Sequence, residues 1–154
     1  MRIEHLIDCQ DHLEKVADWQ QVEFGYLNPS VSVEQRQSRL RDSLQRAGLP
    51  LTIVAISEDG QPMGAASVLP KTITHAHLTP WLSAVVVSPE FRGKGIASAL
   101  SLRAVAEAER LGFKTLNLFT PHNESLYRRI GWETVERSNH NGLPIAIMCR
   151  STSV

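Results

Sequence analysis

A chain of 154 residues suffices for one domain with a useful core, and 42% hydrophobic with 21% charged residues is ordinary for a soluble globular protein. Sixteen basic residues balance sixteen acidic ones, so no global field favours nucleic acid or an anionic membrane. Cys9 and Cys149 lie at opposite ends without metal-type spacing, no apolar run approaches the ~20 residues of a bilayer span, and residues 1–5 lack an apolar leader core; a single cytoplasmic domain over residues 1–154 is expected, without disulfide framework or metal.

Residues 2–7 alternate weakly and predict a short strand. Asp11-His12-Leu13-Glu14 has the D-x-x-E form of a helix start, and Leu13, Val16, Ala17 and Gln20 recur at helical spacing, so a helix is predicted to about Phe24. Asn28-Pro29 interrupts it. Ser32-Val33-Glu34-Gln35 is a capping-box pattern opening a second helix. That helix carries Val33, Leu40, Leu44 and Ala47 on one stripe and is expected to end at Gly48 and Pro50. Its Arg36, Arg39, Arg41 and Arg46 surround the helix rather than forming a stripe and read as a solvated face, with attraction of an anionic ligand as the second reading.

The middle of the chain turns to strands. Residues 51–57 and 63–69 flank the turn Glu58-Asp59-Gly60-Gln61 and predict a hairpin. Residues 81–87 form a continuous apolar run, the pattern of a strand buried on both faces. From about Gly95 to Leu111, Ile96, Ala97, Leu100, Ala104, Ala108 and Leu111 recur by threes and fours. Arg103, Glu107 and Arg110 fall on the other face of this predicted helix, and Gly112 caps it. Residues 115–119 predict a strand, 125–130 a short helix, and 132–137 with 145–149 a final hairpin across 139–144. Such an order implies a mixed α/β (α+β) domain with helices on a central sheet.

The chemistry concentrates in Val85-Val86-Val87-Ser88-Pro89-Glu90-Phe91-Arg92-Gly93-Lys94-Gly95-Ile96-Ala97. A strand ends, a glycine-bearing loop turns, and a long helix begins with free backbone N–H groups and the positive end of its dipole, which is where phosphate binds. Gly93 and Gly95 clear the approach, while Arg92 and Lys94 add charge. The P-loop is absent, because Ile96 follows Gly95. The dinucleotide fingerprint fails too, because Ser98 stands at its third glycine.

Arg92-x-x-Gly95-x-Ala97 resembles the R/Q-x-x-G-x-G/A loop of the GNAT superfamily of N-acetyltransferases, and Leu126-Tyr127-Arg128-Arg129-Ile130-Gly131-Trp132 is similar to its second signature, L-Y-x-x-x-G-F/W. The resemblance is firm over residues 81–132. It implies a mostly antiparallel central sheet, splayed in the middle and flanked by helices. It further implies acetyl-CoA as co-substrate, its pyrophosphate cradled by Arg92, Gly93, Lys94, Gly95, Ile96 and Ala97 with Ser98 near, and its pantetheine arm paired to the backbone of Val85, Val86 and Val87. Tyr127 takes the place of the general acid toward the departing thiolate. Where the family often has Asn seven residues before that tyrosine and a small residue four before, this chain has Thr120 and Asn123, both candidate CoA contacts on a loop with its own path.

The implied reaction is direct transfer to a primary amine, a strand amide such as that of Val87 stabilising the oxyanion. A base must first free the amine, whose pKa lies near ~10. Glu23 at the end of the first helix, His75 and His77 are candidates, directly or through water. Phe24, His77, Trp81 and Ser83 are candidate acceptor contacts, with core packing equally open for Phe24 and Trp81. His122 reads as an exposed loop histidine, with a side chain facing the ligand as the second reading. Two other classes stay open: a non-catalytic acyl-CoA sensor on the same fold, and a nucleotide-binding domain using the same helix start. Balanced charge argues against nucleic acid. The expected partner is a small-molecule or peptide amine, with the chain a monomer or homodimer.

Overall fold

The computed structural model describes residues 1–72, 75 and 77–153. Its regular elements are β1 (Arg2–His5), α1 (Leu13–Phe24), α2 (Val33–Asp42), β2 (Leu51–Ile56), β3 (Pro62–Leu69), β4 (Trp81–Val87), α3 (Ile96–Arg110), β5 (Thr115–Thr120), α4 (Glu124–Arg129), β6 (Glu133–His140) and β7 (Leu143–Ser151). The strands form one seven-stranded sheet in the order β1-β2-β3-β4-β5-β7-β6. Every neighbouring pair is antiparallel except β4 and β5. The expected mixed, mostly antiparallel architecture is the one observed.

The two faces of β2 show why the sheet holds helices on both sides. Leu51, Ile53 and Ala55 point into one cluster with Leu100, Ala104 and Ala108 of α3. Val54 and Ile56 point into another with Val16 and Ala17 of α1 and Leu40 of α2. Period-two alternation sends successive side chains to opposite faces, and both are apolar here. Each such Leu or Ile contributes roughly 1.5–3 kcal/mol by leaving water. No described helix is long and apolar enough to cross a membrane.

Local signals set several boundaries. Ser32 caps α2 in full: its Oγ accepts from the Gln35 amide at 3.1 Å and its own amide donates to Gln35 Oε1 at 2.8 Å. Asp11 does not cap α1. A 3-10 turn over Gln10–His12 leads into that helix, and no side chain bonds its first turn. α2 stops at Asp42 rather than running to Ala47. The buried Ser43 hydroxyl donates to Leu40 O at 2.6 Å and meets Thr52 Oγ1 at 2.8 Å, which meets Ser67 Oγ at 2.7 Å. A side chain that bonds its own backbone competes with the helix ladder and ends it. The last hairpin is longer than expected, its turn narrowed to Asn141-Gly142 with φ of 51° and 80°, the two-residue loop whose twist matches that of the strands.

Glu107 corrects a further expectation. It is 4% exposed, not on a solvated face. Its carboxylate meets His5 Nε2 at 2.5 Å, Arg110 Nη2 at 2.8 Å and Arg103 Nε at 3.3 Å, while Arg103 also reaches Ile3 O. α3 is thereby tied to β1. Burial pushes the Glu107 carboxyl up, but the hydrogen bonds and charges of Arg110 and His5 outweigh it and hold the group at about 2. A depressed folded-state pKa stabilises the fold above the ordinary value, and that contribution is lost as pH falls through the depressed one. Glu107→Gln is therefore expected to cost on the order of 2 kcal/mol at neutral pH. The deficit should narrow as pH falls from 4.5 towards about 2. Denaturant melts of both proteins across that range measure it; a pH-independent deficit would remove the ionised carboxylate from the account.

The opening of the sheet positions the site. β4 and β5 share a single register pair, Trp81 with Asn117. Asn117 closes that end, its amide and its Nδ2 both donating to Pro80 O at 3.0 Å. Beyond it the strands diverge. On the other side of β4 the register with β3 slips: Ala65 faces Val86, but Ser67 faces Ser83, so β4 carries one extra residue. Ala84 absorbs the insertion at φ 54°, a left-handed conformation rare for a residue with a side chain. A bulge bends its strand and increases the local twist. For that reason Ser83, Ala84, Val85 and Val87 are only half-buried, rather than covered on both faces as the apolar run implied.

Candidate active site

After β4 the chain makes a 3-10 turn over Pro89–Phe91 and enters α3 through Gly93 and Gly95, both at φ 78°. A Cβ at either glycine would have nothing within 4 Å. The glycines are therefore demanded by backbone conformation, and the space above them is open. Gly95 is the N-cap of α3 and offers no side chain to its first turn, so the amides of Ile96, Ala97 and Ser98 remain free donors at the positive end of the dipole.

These groups line a cleft of about 440 Å³ that runs along the freed edge of β4. Val85, Val86, Val87, Arg92, Gly93, Gly95, Ile96, Ala97 and Ser98 all border it, as do Asn123 and Tyr127. Lys94 does not; its Nζ sits 5.5 Å from the Phe91 ring centroid. Phe91, Leu126 and Arg129 join the lining. Of these Leu126, the first residue of the second signature, carried a sequence signal.

A second cleft, of about 190 Å³, opens on the other side of the divergence. Phe24, Ser83 and Thr120 line it, together with Tyr26, His122, Arg36 and Arg39; Tyr26 carried no sequence signal, whereas ligand contact was the second reading of His122 and of the two arginines. The two clefts share Glu23, Val85, Asn123 and Tyr127. They meet where β4 leaves β5.

At that junction Tyr127 is 7% exposed and packs edge-on against Trp132, with ring centroids 5.7 Å apart. Burial pushes its phenol up to about 12, against a smaller opposing hydrogen bond with Ser101. Glu23 is held by Arg92 Nη2 at 3.2 Å, and Arg92 Nε donates to Val87 O at 3.3 Å, so one side chain links α1, β4 and the glycine loop. Thr120 Oγ1 accepts from the amides of Asn123 at 2.9 Å and His122 at 3.4 Å and so shapes the loop into α4.

Trp81 and His77 are not brought to either cleft. Trp81 is 1% exposed, packs with Ile145 and Ile147, and its Nε1 donates to Leu78 O at 2.7 Å. It closes the joined end of β4 and β5, and core packing is the reading that holds. His77 is exposed, its ring tilted 55° to that of His75 with centroids 5.7 Å apart, and His75 Nε2 meets Glu136 Oε2 at 2.7 Å. Cys9, raised to about 11 by burial first and the Glu4 charge second, and Cys149, raised by burial, also lie outside both linings. Among the described residues, no three His, Cys, Asp or Glu side chains gather around a common metal position.

Residues 13–132 match the family model described as the acetyltransferase (GNAT) family. The chain belongs to the GNAT family. Among curated proteins it is similar to an uncharacterized N-acetyltransferase, YjgM, of Escherichia coli (strain K12), 28% identical over 85 residues. That alignment covers 53% of this chain and 50% of the relative, so the chain spans about half the length of the curated relative it matches. Among solved structures, an aminoglycoside 6'-N-acetyltransferase complexed with coenzyme A superposes with a TM-score of 0.78 at 14% identity, covering 100% of this chain and 98% of that one. Spermidine N-acetyltransferase from Vibrio cholerae, in complex with CoA and spermine, superposes with a TM-score of 0.75 at 15% identity, covering 99% and 95%. At such identities the likeness shows the fold alone.

Proposed function

We propose that the chain is an N-acetyltransferase that moves the acetyl group of acetyl-CoA directly to a primary amine. The observation that carries this is the junction of two clefts at Tyr127: one with a freed strand edge and a helix start stripped of side chains, the other a small separate compartment. The larger cleft fits CoA on two counts. Free amides at Ile96, Ala97 and Ser98 beside two glycines match a pyrophosphate, and the unpaired edge of β4 at Val85, Val86 and Val87 matches an extended amide chain.

Bound acetyl-CoA supplies the activated acetyl thioester. Val85 to Val87 orient it by backbone pairing, and a β4 amide such as that of Val87 stabilises negative charge on the acetyl oxygen. Tyr127, neutral because burial holds its phenol near 12, donates its proton to the leaving thiolate. Glu23 is the sole carboxylate lining either cleft among the described residues, and it takes the proton of the incoming amine directly or through water. Asn123 and Thr120 hold the loop against the junction. The setting is cytoplasmic.

Calorimetric titration with acetyl-CoA, with ATP and NAD as controls, tests the reading. Selective micromolar binding followed by thiol release with an amine supports it. Selective binding without turnover on any amine favours an acyl-CoA sensor, and no binding by folded protein overturns the assignment.

A further inference from the structure

The arginines of α2 do not form one solvated face. Arg36 is 7% exposed and lines the smaller cleft, with exposed Arg39 beside it. Of the Arg36 guanidinium only Nε has a partner among the described residues, Gln21 Oε1 at 2.9 Å. Its Nη2 is buried with none. No carboxylate lies within ion-pair distance of it among the described residues, whereas Arg92, Arg103, Arg110, Arg128 and Arg137 each meet one. Burial, and then the charge of Arg39, lower the Arg36 pKa.

A buried cation without a counter-charge is unfavourable in the free protein. The Nη pair of a guanidinium is also the fork that receives a carboxylate through two parallel bonds. The cleft is small, about 190 Å³, below the ~300–1,000 Å³ of pockets that enclose drug-sized ligands. A polycationic acceptor would bring further positive charge towards two arginines.

We propose that the acceptor is a small molecule carrying both a primary amine and a carboxylate, as an amino acid does, and that Arg36 receives the carboxylate. This rests on the acetyl-transfer reading above for the fate of the amine, but the carboxylate site stands on Arg36 alone. Arg36 is then the residue that sets acceptor class, and Arg39 strengthens the field that draws the anion in.

The test compares matched acceptors differing only in the carboxylate: lysine with cadaverine, ornithine with putrescine, tyrosine with tyramine, followed by the remaining common amino acids. Thiol release should give kcat/KM at least ~10-fold higher for the carboxylated member of the preferred pair, a ratio that Arg36→Met collapses and Arg36→Lys partly restores. Because the ratio is taken within one variant, partial loss of folded protein does not disturb it. Thermal melting adds a second readout. Arg36→Met should melt at or above the wild-type temperature, since it removes an uncompensated buried charge; a merely structural arginine would lower it. Decarboxylated amines used equally well, or a preference that survives Arg36→Met, would overturn the proposal. Calorimetry with the same amino acids and no acetyl-CoA separates the two readings. Arg36-dependent amino acid binding by a protein that ignores acetyl-CoA would sink acetyl transfer and leave this site standing. Turnover of amines with no amino acid bound or preferred would sink this site alone.

Discussion

Gly95→Glu should abolish acetyl-CoA binding while leaving the fold intact. The glycine sits at φ 78° as the N-cap of α3, and its Cβ position opens into empty space. A side chain there clashes with nothing, so damage to the fold is limited to the left-handed backbone, about 1–2 kcal/mol. The carboxylate, however, projects among the free amides that await the pyrophosphate. It occupies them and repels the ligand's own charge, and like charges set against each other cost several kcal/mol. A loss of at least ~100-fold in affinity is expected, equivalent to about 2.7 kcal/mol. Gly95→Ala carries the same backbone strain without the charge and should lose far less. Calorimetric titration of the three proteins, with circular dichroism to verify folding, gives the comparison. An unchanged affinity in Gly95→Glu would take the loop out of the binding site.

Tyr127→Phe should leave acetyl-CoA affinity near the wild-type value and slow transfer on the order of 100-fold, the lower end of what a positioned general acid contributes. The ring is what packs against Trp132, and phenylalanine retains it. Only the proton donor is lost, so kcat and kcat/KM should fall together, the signature of an interaction made in the transition state alone. The raised phenol pKa adds a pH condition. With Tyr127 held at about 12, the wild-type rate profile should show no falling limb from this group below that value. The sign for stability is the same: the folded state favours the protonated phenol, so its contribution is intact below the ordinary ~10 and fades as pH rises towards the folded value. Stopped-flow thiol release under single-turnover conditions isolates the transfer step. An unchanged rate would reduce Tyr127 to a packing residue.

What the sequence by itself determined is the part governed by short-range rules. The loop from Arg92 to Ala97 was legible as a feature, though not that Lys94 turns away from the cleft, because a left-handed glycine, a free helix start and a preceding apolar strand lie within one stretch of chain. Ser32 with Gln35 was legible for the same reason, both partners of the capping box being three residues apart. The order of strands and helices, and from it the mixed sheet, follows from apolar periodicity that each segment carries alone. Tyr127 was found by its signature and lies at the meeting of the two clefts.

Tertiary structure decided everything that depends on groups far apart in the chain. α2 ends at Asp42, where the Ser43 hydroxyl bonds Leu40 O and is buried against Thr52 Oγ1, and not at Gly48 and Pro50. Glu107 reads as surface in its own helix and is buried because β1, more than a hundred residues earlier, brings His5 to it. Trp81, apolar and beside the site in sequence, went to the core because the joined end of β4 and β5 had to be filled. The bulge at Ala84 and the divergence it accompanies have no local signal, since alanine does not favour φ 54° and only strand pairing holds it there. Arg36 is the sharpest case. Its neighbours in sequence, Gln35 and Gln37, are polar, and its burial without a counter-charge exists only because α2 packs against α1, where Gln21 meets its Nε. Periodicity can state which residues share a helix face, but not which distant surface arrives to cover it.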